Sequence, residues 1–361
     1  MGKGASFSKN VWYNKAMELK DLYKKKLDKK SMAAAGVLII DELRHGGKTF
    51  VELCETLNAT TETIRACLNV LLKNGIVHNF LGEYVLEESV GDFVIPPSNR
   101  ASNRKKYRSV VPAKCNLSLA VVGKGDKLHE LDMFFCPFDL VWDEAEFLPA
   151  DDNSLSVENA TGDETFDEAR FLRETKPKID KIIKKFGVTG AISVRKGVPL
   201  GAGLGGSTSA LVAIYFAIKK YADEKGLKYS FTPKFFADIS SDFSAMALAR
   251  ACRVTGVGDK VETVRENVDV RFVGFEIAKG GSDTASVYKK FDEKCKILSA
   301  QPANSIVQAL KNPRNDLFAP ACALNKEIKK VYNNLKSKKP NFVLMTGSGS
   351  AVVALDYKVV E

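Results

Sequence analysis

No two of the seven cysteines stand two or three positions apart, so neither a zinc knuckle nor a dithiol redox pair is on offer. An odd number of scattered thiols suits a reducing, cytoplasmic setting in which each is a small buried hydrophobe. No apolar run reaches 18 residues, which argues against a membrane-spanning helix and a membrane partner. The opening stretch, MGKGASFSKNVWYNKAMELK, has no apolar core of the kind a secretory signal needs. Histidine is scarce, with three in 361 residues. What remains is ordinary for a globular protein: 45% hydrophobic and 27% charged residues, enough chain for two or three domains.

The charge is not evenly spread. The net charge is +10, and residues 1–110 carry 18 basic against 12 acidic side chains. A basic front admits an anionic partner, nucleotide or nucleic acid, and equally a plain lysine-rich solvated surface.

Residues 1–31 are polar and lysine-rich, and their apolar spacing fits one docked helix. Helical patterns follow at Ala33–Leu43, Thr49–Leu57 and Thr60–Asn74. The last carries Ile64, Cys67, Leu68, Leu71 and Leu72 on one face and ends at Gly75. Two alternating segments, Ile76–Phe80 and Glu83–Glu87, meet at Leu81-Gly82 like a short hairpin. Helix, helix, helix, hairpin is the plan of a winged helix-turn-helix. In a DNA-reading version the third helix would offer Thr60, Thr61, Thr63 and Arg65, with Lys73 further on. One Arg among three Thr is a thin set for phosphate, and a protein-interaction or dimerisation role is at least as good a reading. Residues 91–110, ending PPSNRASNRKKYRSV, read as a linker. The expected division is a winged-helix-like unit at 1–95, a linker at 96–110, and two further lobes at 111–270 and 271–361.

The most informative stretch is KGVPLGAGLGGSTSALVAIYFA, Lys196–Ala217. A strand-like Ala191–Arg195 precedes it and an apolar helix follows it. Between them lie Gly201, Gly203, Gly205 and Gly206, then Ser207, Thr208 and Ser209. Glycines let backbone approach a ligand closely. A helix starting just after them aims free N–H groups and its positive dipole end at an anion, most often phosphate. The spacing Gly201-x-Gly203-x-x-Gly206 matches a dinucleotide fingerprint, but the acidic residue that fingerprint needs is missing: Asp223-Glu-Lys-Gly follows a helix. No Gly-Lys-Ser/Thr follows these glycines, so they are not a P-loop.

Upstream, Val111–Val122 and Leu128–Phe138 read as strands joined by a turn. Lys114 sits in an apolar strand, where a lysine normally needs a partner or ligand; the plain alternative is an edge-strand lysine facing solvent. For His129 the plain alternative is a hydrogen-bonded structural histidine.

The string P-x-G-x-G-L-G-G-S-x-S-A, beginning at Pro199, resembles the nucleotide loop of GHMP kinases. Pro112-Ala-Lys-Cys-Asn-Leu117, Leu128-His-Glu-Leu131 and Phe135 narrow the resemblance to the 4-diphosphocytidyl-2-C-methyl-D-erythritol kinase family. Asp238-Ile-Ser-Ser-Asp242-Phe resembles the family's G-x-D-V-P-F segment, with Ser240 and Ser244 in place of its glycine and proline. Val254–Lys260 keeps the family's glycine step, Asn315-Asp-Leu matches its N-D-L, and Thr346–Ser350 resembles the third GHMP loop. The resemblance covers roughly residues 111–355 and none of the first hundred.

It implies an α+β, two-lobed fold, a ribosomal protein S5-like lobe followed by a ferredoxin-like one, here preceded by the small winged helix-turn-helix unit. It implies an ATP- and Mg²⁺-dependent kinase acting on a small alcohol. Pro199, Gly201, Gly203, Leu204, Gly205 and Gly206 would hold the ATP phosphates; Ser207, Thr208 or Ser209 would bind a phosphate oxygen or Mg²⁺, Ser209 being the choice for the metal. Asp242 would take or orient the acceptor's hydroxyl proton, with Lys114 beside it. Asp238, Asp259 and Asp283 are the competing carboxylates. Asn116, His129 and Phe135 would bind the acceptor. Leu128 stands where the family has a stacking tyrosine, and Ala210 where an asparagine is common. Two rivals stay open: another small alcohol as acceptor, or a DNA-binding regulator whose kinase-like part senses ATP or a metabolite.

Overall fold

The computed structural model describes residues 30–88, 107–125, 128–164, 166–295 and 301–360. The helix expected within residues 1–31 and most of the expected linker lie outside them. The chain divides into two compact units, the first holding residues 30–48, 52–78 and 84–88, the second Thr49–Val51, Asn79–Glu83 and everything from 107 onward.

Residues 30–88 form three helices, α1 (Lys30–Arg44), α2 (Phe50–Thr56) and α3 (Thr61–Lys73), with a two-residue strand β1 (Lys48–Thr49) before α2. Strands β2 (Val77–Phe80) and β3 (Glu83–Leu86) follow. Thr60 caps α3, its hydroxyl accepting from the N–H of Thr63. Ile64, Cys67, Leu68 and Leu71 recur at helical spacing and are buried with Ile39, Leu43, Leu53 and Leu57. The helix stops at Asn74: Gly75 takes φ +63, and the N–H groups of Gly75 and Ile76 close back onto the carbonyls of Leu72 and Leu71. One expectation fails here. Arg65 is 7% exposed, because it lies three residues before Leu68 on the flank of the apolar stripe. Thr61 is buried as well. Of the expected DNA-reading face, Thr60 and Lys73 are exposed and Thr63 half-buried, beside an exposed Glu62.

The second unit starts with two long antiparallel strands, β4 (Arg108–Lys124) and β5 (His129–Pro149). Both outrun the sequence expectation. β4 begins inside the expected linker, and β5 continues eleven residues past Phe138 through Asp143, Glu144 and Glu146. A register shift between Pro112 and Ala113 accommodates the proline. Strand β6 (Ser154–Asn159), helix α4 (Glu168–Phe186), strand β7 (Gly190–Lys196) and helix α5 (Gly206–Glu224) come next. After α6 (Pro233–Ile239) and α7 (Phe243–Ala247), β8 (Cys252–Gly256) and β9 (Lys260–Thr263) complete a sheet of order β6-β7-β5-β8-β9, with β4 on β5. Helices α4 and α5 share a core with this sheet, formed by Phe147, Ile182, Ile192, Val194, Leu211 and Ile214 among others.

Strand β10 (Val268–Ile277) runs unbroken across the 270/271 position where the lobes were expected to meet. Helices α8 (Thr284–Lys294), α9 (Ile306–Lys311), α10 (Phe318–Leu324) and α11 (Lys326–Ser337) lead to strands β11 (Phe342–Met345) and β12 (Ala351–Val359). β12 pairs antiparallel with both β10 and β11. Two further cores, one around Phe138, Phe272 and Leu355 and one around Phe135, Ile328 and Val352, join the two sheets of this unit.

Candidate active site

The loop from β7 to α5 holds its shape by contacts that exclude side chains. Gly203 has φ +75, and a Cβ there would stand 2.0 Å from the Thr346 carbonyl oxygen. Gly205 has φ +79, and its Cβ would meet Met246 Sδ at 2.6 Å and Lys114 Cγ at 3.1 Å. Glycine is demanded twice over, by the left-handed backbone and by the closeness of its neighbours. The loop ends at Gly205, the cap of α5, which makes no side-chain capping hydrogen bond.

The other glycine loop, Thr346–Ser350, lies directly against it. Thr346 Oγ1 donates to the Gly203 carbonyl at 3.1 Å, and Ala351 N–H to the Ala202 carbonyl at 2.9 Å. Asn315 clamps this second loop, its Nδ2 donating to the carbonyls of Met345 (2.6 Å) and Gly347 (2.9 Å).

Lys114 enters from β4. Its N–H donates to the Leu204 carbonyl at 3.1 Å. Its Nζ donates to Asn116 Oδ1 at 2.8 Å and lies 4.7 Å from the centre of the Phe135 ring. Asn116 is taken up locally: its Oδ1 also accepts from Gly347 N–H at 2.9 Å, and its own N–H donates to Thr346 Oγ1. Asn116 thus ties Lys114 to the second glycine loop.

Asp242 faces this group. Its Oδ2 is 3.7 Å from Lys114 Nζ, with the lysine side chain 8% and the aspartate side chain 25% exposed. An aromatic cluster moors the segment: Phe243 stacks on Phe236 at 4.9 Å and meets Tyr215 of α5 edge-on. The other candidate carboxylates have local roles. Asp238 pairs with Lys234 one helical turn away. Asp259 accepts from the N–H of Val257. Asp283 caps α8.

His129 belongs to a neighbouring cluster that the sequence did not reveal. Its ring stacks on Tyr288 at 4.8 Å, and its Nε2 is 2.7 Å from Asp292 Oδ1. Tyr288 and Asp292 lie one turn apart on α8. Lys124 Nζ donates to the other Asp292 oxygen, and these partners hold the Asp292 carboxyl below its usual range. Burial pushes the Tyr288 hydroxyl up, and the Asp242 charge adds to it. Burial and the same charge raise the Cys252 thiol to about 12. The Asp242 charge thus reaches Tyr288, the stacking partner of His129. Leu128 is 59% exposed and offers no ring.

The three hydroxyls after the glycines differ. Ser207 is exposed on the first turn of α5. Thr208 Oγ1 is 2.6 Å from Ser240 Oγ, the serine that stands where the resembled family has glycine. Ser209 is fully buried, and its hydroxyl donates to Asp143 of β5. The hydroxyl expected to bind Mg²⁺ thus faces the Asp143 carboxylate inside the protein. Among the described residues no cluster of three or more His, Cys, Asp or Glu side chains could hold a metal.

A family model for the GHMP kinases N terminal domain matches residues 170–234, which run from α4 through the glycine loop into α6. A 4-diphosphocytidyl-2-C-methyl-D-erythritol kinase of Carboxydothermus hydrogenoformans is 30% identical over 259 residues, 68% of this chain and 86% of the relative. One of Bacillus thuringiensis is 27% identical over 268 residues, 70% of this chain and 88% of the relative. A crystal structure of 4-(cytidine 5'-diphospho)-2C-methyl-D-erythritol kinase superposes with a TM-score of 0.52 at 24% identity, covering 70% of this chain and 90% of that one, and shares the mixed α/β fold. Identity at this level over most of the relative's length is common descent, and the chain belongs to the 4-diphosphocytidyl-2-C-methyl-D-erythritol kinase family of GHMP kinases.

Proposed function

We propose that the protein transfers the γ-phosphoryl group of ATP to a hydroxyl of 4-diphosphocytidyl-2-C-methyl-D-erythritol, a step of non-mevalonate isoprenoid synthesis. The observation that carries the mechanism is the Lys114–Asp242 pair beside the glycine loop. The N–H groups of Gly201–Gly206 and the start of α5 would hold the ATP phosphates. The acceptor oxygen attacks the γ-phosphorus, its proton passes to Asp242, and the bond to the β–γ bridging oxygen breaks to release ADP. Lys114 keeps positive charge beside Asp242 and the moving phosphoryl. Mg²⁺ carried on the phosphates neutralises their charge when bound; of the three hydroxyls that open α5, Ser207 is the exposed one and suits such an ion or a phosphate oxygen.

The acceptor end supports the same reading. His129 and Phe135 would line it, and the stack of His129 on Tyr288 supplies aromatic surface where Leu128 supplies none. ADP release measured across a panel of alcohols tests the assignment. The cytidyl substrate should be turned over fastest, and a smaller alcohol overtaking it would move the function elsewhere in the GHMP kinases.

For residues 30–88 we propose a winged-helix organisation, from their order of three helices and three short strands, used for interaction with protein. The inward placement of Arg65 supports that choice over nucleic acid. Salt-dependent retention of duplex DNA by the wild type, weakened by Lys73→Ala, would reverse it. A reducing, cytoplasmic compartment is in keeping with seven free cysteines. No helix among the described residues is long and apolar enough to cross a membrane.

A further inference from the structure

A buried charge pair that phosphoryl transfer does not itself use lies under the glycine loop. Asp143 on β5 and Lys196 at the end of β7 are cross-strand partners, and both side chains are 0% exposed. Lys196 Nζ donates to Asp143 Oδ1 at 2.9 Å and Oδ2 at 2.7 Å, and to the Val198 carbonyl. Asp143 Oδ1 also accepts from the backbone N–H groups of Gly197 and Val198, each at 2.8 Å. Oδ2 accepts from Ser209 Oγ on the first turn of α5. One carboxylate thus gathers donors from both roots of the Gly201–Gly206 loop.

Taking two charges out of water is unfavourable, and an apolar pair of the same volume would often hold the sheet as well or better. An apolar side chain could not accept the N–H groups of Gly197 and Val198, which have no place in a strand ladder once β7 has ended. The carboxylate answers the geometry of the loop, and the lysine supplies the opposite charge that a buried carboxylate needs. We propose that Asp143 is a positioning residue for the nucleotide: it fixes both ends of the glycine loop, so that the N–H groups between them are set for the ATP phosphates before ATP arrives. This rests on the reading of that loop as the ATP site.

Two double variants separate positioning from stability. Asp143→Ala/Lys196→Met and Asp143→Asn/Lys196→Met both remove the buried charges, but the amide oxygen of the second can still accept from Gly197 and Val198. The KM for MgATP should rise about tenfold or more in the alanine double and stay within about threefold in the asparagine double, the range expected of small misplacements of binding groups. The KM for the acceptor should stay put in both. Equal KM values for MgATP in the two doubles, or an acceptor KM that moves in step, overturn the proposal. Should the alanine double fail to fold, Ser209→Ala takes its place; it removes one donor and leaves the pair intact. It should raise the KM for MgATP with the acceptor KM unchanged, and no change overturns the proposal. Wild-type ADP formation, run alongside, distinguishes the two failures: an active wild type with indistinguishable doubles defeats the positioning role alone, whereas an inactive wild type defeats the site reading and this inference with it.

Discussion

Lys114 Nζ and Asp242 Oδ2 stand 3.7 Å apart, beyond a hydrogen bond and within strong Coulombic reach. Among the described residues the lysine Nζ donates to Asn116, which leaves the Asp242 oxygens to an acceptor hydroxyl. Removing the lysine charge should lower kcat by about a hundredfold or more, because the interaction it makes with the migrating phosphoryl exists only in the transition state. Lys114→Arg should not rescue it, since a guanidinium cannot take the ammonium's place between Asn116 and the Phe135 ring. Steady-state kinetics of Lys114→Met and Lys114→Arg check both statements.

Gly203→Ala should damage the enzyme more than Gly226→Ala. Both positions have positive φ, +75 and +65, which alone costs an alanine roughly 1–2 kcal/mol. A Cβ at Gly226 meets nothing within 4 Å, whereas one at Gly203 runs into the Thr346 carbonyl at 2.0 Å. The melting temperature of Gly203→Ala should fall further, and its KM for MgATP should rise while that of Gly226→Ala does not. Thermal melts together with nucleotide titrations measure the two effects.

Tyr288→Leu should raise the KM for the acceptor and leave that for MgATP near wild type. The ring stacks on His129, and loss of an aromatic face removes about 1 kcal/mol, or several-fold in affinity. A change in both KM values would place Tyr288 outside the acceptor pocket.

Asp292 gives a pH test. Its folded pKa is lowered, first by the hydrogen bond from Lys124 and then by that from His129. A depressed carboxylate pKa contributes stability above the unfolded value, near 3.8 to 4, and that contribution is lost as pH falls through the folded value. Wild type should therefore melt higher than Asp292→Asn at neutral pH, by a small margin because the carboxylate is a third exposed. The margin should close below about pH 4. Melts at a series of pH values read it directly.

The glycine loop and its hydroxyls were legible in the sequence because the chemistry there is local: glycines, a helix start and its dipole follow one another within a dozen residues. Lys114 could be found from its apolar surroundings. Asp242 was one of four carboxylates, and only the fold shows that Asp238, Asp259 and Asp283 are engaged by their own neighbours. Asp143 was hidden for a physical reason. The acidic run from Asp139 to Glu146 looks unlike a strand, yet β5 passes through it, and Lys196, 53 residues later, neutralises the most deeply buried of its carboxylates. Tyr288 and Asp292 were equally hidden, since nothing in their own helix announces a histidine 163 residues away. Arg65 shows the converse, a charged residue drawn inward by its place beside an apolar stripe.

The most direct test is phosphoryl transfer by wild type and Asp242→Asn at saturating MgATP and 4-diphosphocytidyl-2-C-methyl-D-erythritol, following ADP and the phosphorylated product together. Asp242 makes no capping hydrogen bond and is partly exposed, so the variant should fold and bind both substrates. Wild type should give one ADP per product, and Asp242→Asn a kcat lower by about a hundredfold to ten-thousandfold, with both KM values close to wild type. No ADP from wild type, or equal turnover by the two proteins, would contradict it.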